Sequence, residues 1–162
     1  MRSRPWTLLA TASLLFAGSL TLQQCGSTAG GGESGQSAFK VVATVDQLMD
    51  AIVVPNSQAI WDAVVFTNGE LVQGPKTDDD WYKLQMNAYA VAEAGNLLMM
   101  APRAKDDGDW MKFSAALTEK SVATVRAAEA KDVQRLLTAG GEVYTVCTDC
   151  HRKYIAGSAE EF

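Results

Sequence analysis

From Phe39 onward this chain predicts an all-α fold, an antiparallel up-down-up-down bundle of four helices. Three observations carry that expectation. Apolar residues recur at helical spacing in four segments, and no segment alternates convincingly as a half-buried strand would. The connections between segments are short and marked by Gly, Pro, Asn or Asp, so successive helices must run antiparallel. The fourth segment ends in the chain's only Cys-x-x-Cys-His, which also holds its only histidine.

The first helix should start near Thr44, which is spaced with Gln47 as a capping box. Val45, Leu48, Met49, Ile52, Ala59, Ile60 and Ala63 fall mostly on one face. Pro55 lacks a backbone donor and crowds the preceding turn, which predicts a kink near Val53–Asn56. Val41-Val42 and Val53-Val54 have strand propensity but are too short to outvote their neighbours. Asn68-Gly69 should end this helix, because both residues tolerate a left-handed cap; Leu71–Lys76 then reads as a loop.

The second helix should begin after Thr77, with Asp78, Asp79 and Asp80 against the positive end of its dipole. Trp81, Leu84, Ala88, Val91, Ala92, Leu98 and Met99 supply its buried stripe, and Ala101-Pro102 closes it. After a polar turn at Asp106–Asp109, the third helix runs from about Trp110 to Ala130. Asp132 is a good N-cap for the fourth, which carries Val133, Leu136, Val143, Tyr144, Cys147, Cys150, His151 and Tyr154. Gly140-Gly141 inside it implies either a close approach of another group or a local break.

Three segments emerge along the chain: residues 1–24, 25–38 and 39–162. Arg2 and Arg4 precede the apolar run Trp6–Leu22, the pattern of a secretory leader. Cys25 follows it, and Gly26–Ser37 reads as a flexible tether. This order resembles a bacterial lipoprotein signal, although Gln24 stands where a small residue is usual. The expectation is therefore a periplasm-facing domain anchored through lipidated Cys25, with cleavage to a free periplasmic domain as the alternative. All 19 acidic residues lie beyond Cys25, against 12 of the 14 Lys and Arg. With no basic stripe to follow phosphates, nucleic acid is not an expected partner.

Cys147-Thr148-Asp149-Cys150-His151 carries the chemistry. In an exported protein this spacing reads as covalent haem attachment. Two thiols one helical turn apart can add to the two vinyl groups of a single haem, and the adjacent imidazole can then bind the iron. A zinc site would want a second pair of ligands. A redox Cys-x-x-Cys would normally sit in a βαβ context. With Cys25 assigned to lipid and the other two cysteines to haem, none remains for a disulfide.

The stretch Tyr144-x-x-Cys147-Thr148-Asp149-Cys150-His151-Arg152-Lys153-Tyr154, late in a four-helix chain, resembles the class II cytochromes c. That family comprises cytochrome c-prime and its low-spin, six-coordinate relatives. The resemblance covers about Val41–Ile155 and implies one covalent haem c, with His151 on the iron. Low-spin members take a methionine sulfur from the start of the first helix, where Met49 stands. Met49 lies roughly 7–8 Å into that helix, a height matching that of His151 in the fourth. Met99, Met100 and Met111 should cluster at the same end, and Met86 at the other; a methionine in any of these places can equally be core filler. Arg152 and Lys153 could neutralise a haem propionate or be plain surface. Trp61, Trp81 and Trp110 are expected in the core.

Two functions stay open. One is electron transfer through a His/Met-ligated haem. The other is gas binding (NO or CO) at five-coordinate iron, as in cytochrome c-prime. Catalysis is not expected, since there is no second histidine to act as a base. The expected partners are a redox protein and the membrane, reached through the lipid anchor; a homodimer is also open.

Overall fold

A computed structural model describes residues 39–155, so the leader, the tether and Cys25 lie outside the described residues. Four helical columns pack side by side. The first is composite: α1 (Val45–Leu48), a π-helical turn (Met49–Val53) and α2 (Val54–Trp61) follow one another without interruption. The others are α3 (Asp78–Met99), α4 (Asp109–Glu129) and α5 (Val133–Tyr154). α3 packs on α4 and α4 on α5, while α2 touches both α3 and α5. This is the expected up-down bundle.

The helix starts are set by local chemistry. Thr44 and Gln47 form a reciprocal capping box, as do Thr77 and Asp80. The Asp132 carboxylate accepts from the Arg135 N–H at 3.0 Å. Long-range bonds fix the direction of the columns. Arg103, almost fully buried, donates to the carbonyls of Ala43 and Leu97 and so ties the start of the first column to the end of α3. Lys131 pairs with Asp78 at the opposite end of the bundle. The core runs through Leu48, Ile60, Leu84, Val91, Leu136 and Val143, and each such side chain contributes about 1.5–3 kcal/mol of burial.

Two expectations are corrected. The first column ends at Trp61, well before Asn68-Gly69, and a two-stranded hairpin follows it. Strands β1 (Val65–Thr67) and β2 (Glu70–Gln73) pair antiparallel with Thr67 opposite Glu70. Asn68 and Gly69 have φ of 51° and 84°, the twist of a tight hairpin turn rather than a helix cap. The stretch read as the loop Leu71–Lys76 is therefore partly strand.

The kink expected near Val53–Asn56 takes the form of the π-helical turn just before Pro55. The Val54 N–H reaches back to the Met49 carbonyl, which adds one residue to the turn. The Asn56 side chain donates to the Ile52 carbonyl at 2.7 Å, close to the place where Pro55 offers no N–H. The Gly140-Gly141 pair does not interrupt α5. Among the described residues no helix is long and apolar enough to cross a membrane.

Candidate functional site

The last turns of α5 carry the Cys-x-x-Cys-His sequence. Thr148 bonds back to the Tyr144 carbonyl at 2.9 Å, and the Ile155 N–H closes the helix on the His151 carbonyl at 2.9 Å. Cys147, Cys150 and His151 consequently share one side of the helix and open onto a single cavity.

The facing wall comes from the first column. Met49, Val53, Ser57 and Trp61, each four residues on from the last, line the cavity. At one end Trp61 Nε1 donates to the Gly140 carbonyl at 3.0 Å, locking α2 to α5. Twelve residues back from Trp61 is Met49, and eleven on from Gly140 is His151. At roughly 1.5 Å per residue these spacings are about 18 and 16.5 Å along the helices, and both residues line the cavity. The remaining wall is built by Leu98 of α3 with Trp110, Phe113, Ser114 and Leu117 of α4.

The cavity encloses about 140 Å³ and opens to solvent at its mouth. Its lining is almost wholly apolar. One exception is the Ser57 hydroxyl, which is buried and has no hydrogen-bond partner among the described residues.

Burial, reinforced by the neighbouring Cys150, pushes the Cys147 thiol up to about 11; burial raises Cys150 as well. A disulfide oxidoreductase needs the opposite, a thiol depressed toward neutrality. Both cysteines are free. Among the described residues no group of three or more His, Cys, Asp or Glu is placed to hold a metal ion. Partial burial lowers His151 from its ordinary value, favouring the neutral imidazole that ligates metals.

In their chemistry the residues present fit a haem c: two thiols one turn apart, an imidazole beside them, and apolar walls around them. Met99, Met100 and Met111 do not line the cavity, and Met86 is exposed on α3. Arg152 lies outside the lining and bonds to Asp149 at 2.7 Å.

Sequence reasoning did not single out Val53, Ser57, Leu98, Phe113 or Ser114 as site residues. The four-residue ladder from Met49 to Trp61 is the signal that could have found the first two. The chain matches no protein-family model, no curated protein and no solved structure.

Proposed function

We propose that the protein is a periplasm-facing, c-type haem electron-transfer protein of the class II cytochrome c kind. One observation carries this reading: Met49, Cys147, Cys150 and His151, drawn from the two ends of the sequence, line one apolar cavity. Haem c, when bound, supplies a one-electron ferric/ferrous couple. Cys147 and Cys150 hold it as thioethers, and His151 ligates the iron. Met49 offers a thioether sulfur from the opposite wall. That sulfur is softer than a second imidazole and favours the reduced state, so it raises the potential. The apolar lining excludes water and leaves the more charged, oxidised state poorly solvated, which acts in the same direction. No side chain is assigned a catalytic step.

Cys25 is proposed as the lipid anchor, since a diacylglyceryl cysteine carries two acyl chains and gives stable membrane attachment. Mass spectrometry of the mature N-terminus tests this. A free terminus beyond Cys25 would replace the anchored protein with a free periplasmic one.

The optical spectrum tests the ligation. His/Met ligation gives low-spin iron, a weak near-red charge-transfer band when oxidised, and slow or absent carbon monoxide binding when reduced. High-spin iron with rapid carbon monoxide binding would select the gas-binding alternative.

A further inference from the structure

His151 sits in the last turn of α5, and its own carbonyl accepts the final N–H of that helix. Last turns fray, because their carbonyls lack partners further along the helix. A ligand in this place moves with the fraying unless something holds the turn.

Three residues on from His151, Tyr154 supplies a hold. Its hydroxyl donates to one carboxylate oxygen of Asp106. The other oxygen of Asp106 accepts the N–H groups of Gly108 at 2.8 Å and Trp110 at 3.1 Å, capping the start of α4. The Tyr154 ring stands edge-on to Trp110, with centroids 5.1 Å apart, and to Phe113 at 6.4 Å. Both of those side chains line the cavity. Trp110 is fixed in turn by its Nε1, which donates to the Leu98 carbonyl at 2.9 Å. Lys153 pairs with Asp109 beside this contact. Partial burial and the Asp106 carboxylate push the Tyr154 phenol up to about 12, while the Tyr154 hydroxyl, acting first, holds Asp106 below its ordinary value.

We propose that Tyr154 is a positioning residue: through Asp106 it clamps the last turn of α5 to the first turn of α4 and so fixes the orientation of His151 toward the iron. This rests on the haem-binding reading. A single carboxylate organises the ligand-bearing turn and the aromatic wall opposite it, which makes the two parts move together.

The test is electron paramagnetic resonance of the oxidised full-length protein, matured with its haem, alongside thermal unfolding and the mass of the attached haem. The wild type should show one iron species. Tyr154→Phe, which removes only the hydroxyl, should keep the haem mass yet show a second species in roughly a tenth of the iron, the size of an ordinary minor state. Asp106→Ala should show at least as much, and adding Tyr154→Phe to it should change nothing further. Asp78→Ala, which breaks the ion pair at the far end of the bundle, should leave the spectrum alone. A lowered Tm with an unchanged iron signal in the Phe variant would overturn the positioning role, as would effects that add in the double variant. A wild type without haem mass overturns the haem reading, and the role with it; that failure is visible before any variant is made.

Discussion

The seam between α3 and α4 and the seam between the first column and α5 are built in opposite ways. Along the former, small residues let the backbones come together. Ala88, Val91, Ala92 and Gly95 of α3 are buried, as are Ser114, Ser121 and Thr124 of α4. Thr118 donates across the seam to the Ala92 carbonyl at 3.0 Å. A Cβ at Gly95 would fall 2.3 Å from Thr118 Oγ1 and 2.7 Å from the Ser114 carbonyl oxygen. Along the latter, contact is tight at Trp61 and Gly140, and a cavity opens toward Met49 and His151. The difference teaches where stability and chemistry are separated. One seam supplies packing, while the other leaves the cavity that the proposed haem would occupy.

Gly95→Ala should break the comparison most severely. The added methyl meets backbone as well as the Thr118 hydroxyl, so a loss at the upper end of the roughly 1–3 kcal/mol range of overpacking is expected, or more. Thermal or urea unfolding measures it, and an unchanged Tm would mean that the seam is looser than described.

Met49→Ala acts on the open seam. It should turn the iron high-spin and speed carbon monoxide association roughly a hundredfold, the factor by which a site open about 1 % of the time holds back its ligand. Met86→Ala, on the exposed face of α3, should leave both readings alone. If loss of Met99, Met100 or Met111 opens the iron instead, the opposition of Met49 and His151 does not describe the ligation.

The paired glycines of α5 sharpen the contrast on a smaller scale. A Cβ at Gly141 meets nothing within 4 Å, so Gly141→Ala should stabilise the protein by about 0.5–1 kcal/mol through helix propensity alone. At Gly140 the same atom would lie 3.3 Å from Ile60 Cγ2, and Gly140→Ala should gain less or lose stability. Equal gains at both positions would show that α2 does not press on α5 there.

The smallest effect concerns pH. Hydrogen bonds from Lys153 and then Lys112 hold Asp109 at about 2, below its ordinary 3.8. A depressed carboxyl stabilises the fold above its unfolded value and stops doing so as pH falls through its folded one. The Tm difference between wild type and Asp109→Asn should therefore be constant above about pH 4 and vanish toward pH 2. A difference that grows on acidification would contradict the assigned partners.

What was legible in the sequence was mostly local. The caps at Thr44, Thr77 and Asp132, the apolar stripes and the Cys-x-x-Cys-His all declare themselves within a few residues, and they were enough for the bundle. Asn68-Gly69 misled because a left-handed conformation serves a helix end and a hairpin turn equally well. What decides between them is the stop at Trp61, whose indole is spent on Gly140, far away in sequence. Pro55 announced a disturbance without revealing that the turn before it would widen. Gly95 reads as a mild helix defect until α4 lies against it. The contact of Tyr154 with Asp106 joins residues far apart in the chain, so no local pattern records it. At the candidate site Met49 and the α5 residues were readable as a group, whereas the walls contributed by α3 and α4 needed the packed bundle.

The most direct test of the central claim is the mass of the denatured, full-length protein after maturation in a host able to attach haem. One haem mass per chain is expected, lost when Cys147→Ser and Cys150→Ser are combined. A wild-type chain that emerges colourless and at its bare polypeptide mass would contradict the assignment of this cavity to a covalent haem.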